Sequence, residues 1–208
     1  MKKQALITGA TSGIGRATAL RLAKEGYAVI ATGRRADRLA TLRAEIEAAG
    51  GRCTTLAFDV RSEEEVRRAL EPLERVDLLV NNAGISYVGL LTDMTIKDFD
   101  RTMKSNIYSV FNSCNRVVPY MVRAHKGHII NVSSVWGCCG ASCEVAYSAS
   151  KGAVNSFSKA LGKELAPSGI AVNAIAFGAV DTTMNGHLSP DERQMLEDEI
   201  CLLYTSDA

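Results

Sequence analysis

The sequence predicts an α/β fold: a doubly wound parallel sheet with helices on both faces. Three observations carry this expectation. Short apolar runs of strand length alternate with amphipathic helical stretches along the chain. The first run passes through a glycine-rich turn straight into the first helix. No repeat, low-complexity tract or linker interrupts the alternation. With 208 residues there is room for one sizeable core but not for two comfortable ones, so a single domain is expected over residues 1–200.

Taken in order, residues 5–8 read as an apolar strand, followed at once by Gly9-Ala10-Thr11-Ser12-Gly13-Ile14-Gly15. A helical pattern then covers 16–24, with Ala17, Leu20 and Ala23 on one face. Strand, glycine turn and helix in that order open a dinucleotide-binding unit, in which the backbone approaches a pyrophosphate held at the helix N-terminus. The spacing Gly-x-x-x-Gly-x-Gly matches the generic fingerprint only loosely, and a plain surface turn is the competing reading. Residues 28–32 form the second strand. Its end, Thr32-Gly33-Arg34-Arg35, holds two guanidiniums and no carboxylate before Asp37. That end suits a 2′-phosphate and so NADPH, the alternative being that Arg34 and Arg35 are the solvated start of the next helix.

A charged helix over 36–49 stops at Gly50-Gly51, and residues 53–58 make the third strand, closed by Asp59-Val60. Ser62 followed by Glu63, Glu64 and Glu65 is a helix start with a capping hydroxyl and acids in the first turn. The fourth strand, 76–80, runs into Asn81-Asn82-Ala83-Gly84. A helical stretch over 98–124, in one piece or two, carries Asn106 in its interior, where an amide competes with the backbone and needs compensation. The fifth strand is 128–132, a helix follows over 145–165, Pro167-Ser168-Gly169 closes it, and 170–175 is the sixth strand.

Composition narrows the function. A net charge of +1 argues against a nucleic-acid partner. The run after Met1-Lys2-Lys3 is too short for a signal peptide, and no segment approaches membrane-spanning length, so a cytoplasmic protein is expected. The six cysteines fit no secreted framework, and the three histidines complete no zinc spacing with Cys138, Cys139 and Cys143, so free thiols and no metal are expected.

Chemistry concentrates at two neighbouring stretches. Asn131-Val132-Ser133-Ser134 ends the fifth strand, where an α/β sheet presents its reactive groups. Tyr147-Ser148-Ala149-Ser150-Lys151 sets a phenol and an ammonium on one helix face. An ammonium near a phenol favours the phenolate, which is expected to lower the Tyr147 pKa from about 10 towards a usable acid or base.

Thr8-Gly9-x-x-x-Gly13-Ile14-Gly15, Asn81-Asn82-Ala83-Gly84, Asn106, Ser134, Tyr147-x-x-x-Lys151 and the stretch from Asn173 to Gly178 stand together in order and spacing that resemble the short-chain dehydrogenase/reductase family, over residues 4–200. The resemblance implies a Rossmann-type three-layer fold with strand order 3-2-1-4-5-6. It implies that Tyr147 gives a proton to the substrate carbonyl oxygen as hydride comes from NADPH, and that Ser134 binds the same oxygen. Lys151 would lower the phenol's pKa and bond the nicotinamide ribose, and Asn106 would hold a water in the proton relay. Gly9, Thr11, Ser12, Gly13, Ile14, Gly15, Arg34, Arg35, Asp59, Val60, Asn82, Ala83, Gly84, Tyr147, Lys151, Phe177, Gly178, Val180 and Thr182 would line the cofactor site, with Thr183 competing with Thr182. The family's dimer faces resemble the long helices here, so a homodimer or homotetramer is implied.

Two departures stand out. Phe177 takes the place of a usual proline, which frees φ there. Residues 201–208, Cys-Leu-Leu-Tyr-Thr-Ser-Asp-Ala, show no period and back-translate to a sequencing-adapter sequence, so they are expected to be read-through, with the last family strand missing. For the substrate, the chain is similar to 3-oxoacyl-[acyl-carrier-protein] reductases. The stretch from Trp136 to Tyr147, with Asp181, Met184 and Asn185, also resembles elongation factor P 5-aminopentanone reductases. Glu144 is either an amine partner or a helix-start acid, and Arg101, Arg123 and Lys126 are candidate contacts for an acidic carrier. A non-catalytic NADPH-binding regulator is the reading of another class, and the presence of both Tyr147 and Lys151 speaks against it.

Overall fold

The computed structural model describes residues 2–180 together with Thr182 and Asp191. The expectations placed on Asp181, Thr183, Met184, Asn185 and residues 201–208 lie outside the described residues. Six strands form one parallel sheet: β1 (Gln4–Ile7), β2 (Ala28–Gly33), β3 (Arg52–Ala57), β4 (Leu78–Asn81), β5 (Gly127–Ser134) and β6 (Ile170–Phe177). Their order is β3-β2-β1-β4-β5-β6, the expected one, with the winding order reversing between β1 and β4 while all strands stay parallel. Registers such as Leu6↔Leu79 and Val80↔Ile130 bring the C-terminal ends of β1, β4 and β5 to one edge.

Alternation along the strands divides the core. Leu6, Leu79 and Ile129 face one side, with Val66 and Leu70 of α3 (Glu63–Leu70), Val110, Val117 and Met121 of α5 (Ser109–Ala124), and Val154 of α7 (Val145–Leu165). Their neighbours Ala5, Ile7, Leu78 and Val80 face the other side, with Ala19 of α1 (Gly13–Lys24) and Leu39, Leu42 and Ile46 of α2 (Ala36–Ala48). The helix boundaries follow local chemistry. Ser62 accepts from the Glu65 N–H at the head of α3, as its sequence implies, and Gly50 ends α2 with a left-handed φ of +76°.

The helical stretch around Asn106 is two α-helices, α4 (Ile96–Met103) and α5, joined by one π-turn, Lys104–Tyr108. The strand β6 continues through Phe177, whose carbonyl accepts from Val135 N–H at 2.9 Å, and leaves Ile175 exposed. A four-residue helix, α6 (Trp136–Cys139), follows β5 and had no period in the sequence to reveal it. Among the described residues no helix is long and apolar enough to cross a membrane.

Candidate active site

The glycine turn after β1 is held shut from the β4 side. The Thr8 hydroxyl accepts from Asn82 N–H at 3.0 Å and Ala83 N–H at 3.1 Å, while the Asn82 amide donates to the carbonyls of Thr8 and Gly9 at 3.0 and 3.1 Å. A Cβ on Gly15 would run into the Asn82 amide and the Gly9 carbonyl, and one on Gly9 would meet the Ala83 Cα at 2.8 Å. Asn82 and Ala83 thus act on the turn first as its clasp. Thr11, Ser12, Gly13 and Ile14 continue the turn into α1, and the side chain of Ser12, which precedes the helix, makes no capping bond. The first-turn N–H groups of α1 are therefore not capped by it and suit an anion.

At the end of β2, Arg35 reaches across to the Thr11 hydroxyl at 2.7 Å and to Ser12 at 3.2 Å, which sets it at the turn's rim, while Arg34 is exposed. Asp59 is clamped by Arg61, 2.6 Å between Oδ2 and Nη2, and that bond holds its carboxyl below the usual range. The Val60 side chain is buried, and its carbonyl accepts from the Asn112 amide at 3.0 Å. The side chain of Thr182 lies against Gly13, where an added Cβ would be 3.4 Å from its methyl. Gly178 and Val180 follow β6.

The proposed catalytic residues gather at the C-terminal end of β5. Ser134 is its last residue and, through its hydroxyl, accepts the Trp136 N–H at 3.2 Å; the same hydroxyl acts on the Tyr147 phenol to lower its pKa. Tyr147 and Lys151 lie one turn apart on α7, with the Lys151 ammonium 5.6 Å from the phenol ring centre. Gly84 packs close to both remaining groups: a Cβ there would be 3.2 Å from Asn106 Oδ1 and 3.6 Å from Lys151 Nζ. Asn106 itself accepts from Ile85 N–H at 2.8 Å and donates to the Ile85 carbonyl and the Ser150 hydroxyl, both at 2.9 Å. This is the compensation its interior position requires, and the π-turn is what swings the amide onto that loop. With both amide hydrogens donated, the side chain can offer a water only a remaining lone pair of Oδ1.

The direction of the Tyr147 shift differs from the expected one: burial pushes the phenol above its ordinary value, the Ser134 hydroxyl pulls the other way, and the Glu144 carboxylate raises it again. The Lys151 ammonium gives one of its three hydrogens to the Val132 carbonyl at 2.7 Å, and burial lowers its own pKa to about 8. Arg123 and Lys126 precede β5, so they sit at the opposite edge of the sheet from Ser134, and Arg123 stacks on Tyr120. Arg101 is exposed on α4 beside Asp98. Five cysteines among the described residues are free thiols, and no three His, Cys, Asp or Glu side chains there could hold a metal.

A bond unmarked in the sequence completes the site. Ser86, in the loop after β4, donates to Glu144 Oε2 at 2.6 Å. The two are 58 positions apart, and no spacing rule links them.

A glycine cradle at the first strand, paired arginines at the second and a Ser–Tyr–Lys set at the fifth define a dinucleotide-dependent oxidoreductase. The chain belongs to the short chain dehydrogenase family, whose profile matches residues 3–193. It is 39% identical over 203 residues to an uncharacterized oxidoreductase, YmfI, of Bacillus subtilis, covering 96% of this chain and 84% of that one. It is 40% identical over 196 residues to the 3-oxoacyl-[acyl-carrier-protein] reductase FabG of Thermotoga maritima, covering 92% and 80%. A crystal structure of an actinorhodin polyketide ketoreductase variant with NADPH superposes with a TM-score of 0.87 at 36% identity, covering 92% and 80%.

Proposed function

We propose that this protein is an NADPH-dependent carbonyl reductase that converts a 3-oxoacyl thioester to its 3-hydroxyacyl form. The observation that carries the reading is the Tyr147 phenol ring 5.6 Å from the ammonium of Lys151, which is buried one turn along the same helix, with Ser134 at the reactive edge of the sheet. The thioester is supported by relatives named 3-oxoacyl-[acyl-carrier-protein] reductase at 36–40% identity.

The residues present fit the cofactor. The turn from Gly9 to Gly15, closed to any added Cβ at Gly9 and Gly15, offers backbone and the N-terminus of α1 to a pyrophosphate. Arg34 and Arg35 suit the 2′-phosphate, Asp59 and Val60 the adenine side, and Asn82, Ala83, Gly84, Phe177, Gly178, Val180 and Thr182 the remainder. When bound, NADPH supplies the hydride. Ser134 donates a hydrogen bond to the substrate carbonyl oxygen and so polarises it. Tyr147, which stays protonated at neutral pH, gives its proton to that oxygen. Lys151 and Asn106 flank the phenol's route for proton resupply and hold it in place through α7 and the loop after β4. Exposed Tyr108 and Phe111 supply apolar surface for the proposed dimer or tetramer.

A second reading has one observation in its favour: the Glu144 carboxylate beside Tyr147 suits a cationic amine, as on an elongation factor P carrying 5-aminopentanone. NADPH oxidation followed with a 3-oxoacyl thioester and with the modified factor separates the two, with Tyr147→Phe as the blank. Turnover of the thioester, lost in Tyr147→Phe with NADPH binding kept, is the expected result. Turnover of the modified factor alone would replace the first reading by the second. Binding of NADPH with no Tyr147-dependent turnover of any carbonyl would favour a regulator.

A further inference from the structure

The short helix α6 meets α7 backbone to backbone, at the lysine. A Cβ added to Gly137 would stand 2.6 Å from the Lys151 carbonyl carbon, 2.7 Å from Lys151 Cβ and 2.9 Å from the Gly152 nitrogen. None of these atoms is the far end of a side chain that could swing aside, so only glycine lets α6 sit this close. The contact is fastened from α7 itself. Asn155, one turn beyond Lys151, donates its amide to the Gly137 carbonyl at 3.1 Å and to Cys138 Sγ at 3.6 Å. Just past α6, the Ala141 N–H donates to the hydroxyl of Ser148, the residue after Tyr147, at 3.1 Å. From β5, the buried Ser133 hydroxyl donates to the Lys151 carbonyl at 3.2 Å.

We propose that Gly137 is a positioning residue for Lys151: a bare seat of backbone, locked by Asn155, that sets how α7 lies on β5 at the lysine and so where the ammonium stands. This rests on the reading of Tyr147 and Lys151 as the reductase pair. An ammonium at the end of a four-carbon stem has a fixed place only when both ends of the stem are held. The tip is held by the Val132 carbonyl, and the root by Gly137 and Ser133. All three anchors lie on the one stretch of chain that also carries Ser134. The group that binds the substrate oxygen and the seat of the lysine thus share a frame, and a displacement of α6 disturbs their mutual setting.

Gly137→Ala drives a methyl group against the Lys151 main chain. Asn155→Leu has a similar volume and no charge, and lacks the donor for the Gly137 carbonyl. Leu165→Ala is the comparator: it opens a cavity under the far end of α7 and weakens the helix's packing without touching the seat. In the full chain with NADPH and a 3-oxoacyl thioester, Gly137→Ala is expected to lower kcat, counted per NADPH-binding site, about 10- to 100-fold, with KM for the thioester little changed. Asn155→Leu should act in the same direction but less, Asn155→Gln should recover part of the loss, and Leu165→Ala should keep the wild-type kcat. The 13Cε resonance of Lys151, in lysine-labelled protein and assigned by its absence from Lys151→Met, should move in Gly137→Ala and Asn155→Leu and stay in Leu165→Ala. Should Gly137→Ala not fold, Asn155→Leu carries the same test. A Lys151 resonance that stays in place, wild-type kcat in both seat variants, or equal effects in Leu165→Ala would overturn the proposal. If Tyr147→Phe turns the thioester over as fast as wild type, the reductase reading fails instead, and the resonance alone decides whether Gly137 seats the lysine.

Discussion

Lys151 donates its ammonium to the Val132 carbonyl at 2.7 Å from a side chain that is 4% exposed, which is a costly place for a charge. Its pKa falls to about 8, below the unfolded value of about 10.4, so the folded protein binds fewer protons than the unfolded chain between these values. Stability from this group therefore rises with pH through that window. Against Lys151→Met, which titrates alike at every other group, the wild type should gain ~2 kcal/mol between pH 7 and pH 9.5. Urea unfolding of both proteins across that range checks it, and a constant difference would count against it.

Gly15→Ala should be far worse than Gly26→Ala. The first puts a methyl group into the Asn82 amide and the Gly9 carbonyl, whereas nothing stands within 4 Å of a Cβ on Gly26, whose φ is +88°. The first is expected to cost about 1–3 kcal/mol and to weaken NADPH binding tenfold or more as the clasp on the turn opens. The second should cost about 1–2 kcal/mol in backbone strain and leave NADPH affinity unchanged. Thermal unfolding and cofactor titration of the pair make the comparison.

Asn131 is the middle of a buried chain. It accepts from Asn81 at 2.9 Å and donates to the Ser158 hydroxyl at 2.8 Å, while Asn81 Oδ1 already lacks a partner among the described residues. Asn131→Ala leaves further polar atoms unmatched in the core and should cost about 2–3 kcal/mol, read as a lower denaturant midpoint with the slope unchanged.

Arg35→Ala is expected to raise the Kd for NADPH by about 10- to 100-fold and to change the Kd for NADH far less, since a guanidinium favours a phosphate over a hydroxyl pair. The NADPH penalty should shrink with added salt. Equal losses for both cofactors would mean that Arg35 serves mainly to brace Thr11 and Ser12.

Strand order and the α7 boundaries were readable because alternation and turn residues are local signals. Where the reading fell short, a buried polar residue hid the continuation. The strand β4 runs on through Asn81, which interrupts an apolar pattern yet is buried and bonded to Asn131, far along the chain. The site residues lay on recognisable motifs, but the direction of the Tyr147 shift depends on burial, which spacing does not report. The tie between Ser86 and Glu144 depends on how two loops meet. Asn106 in a helix interior was a true signal that something unusual stood there, and the π-turn is its physical form.

That turn makes the site sensitive to chain length as well as to residue identity. A π-turn holds one residue more than the α-helical path it replaces. Loss of codon 104, 105, 107 or 108 would let α4 and α5 fuse into one uninterrupted rod, turning Asn106 about 100° away from the loop it now grips. Gene copies bearing such a deletion would keep every motif residue in the alignment and still encode a protein with a dismantled centre.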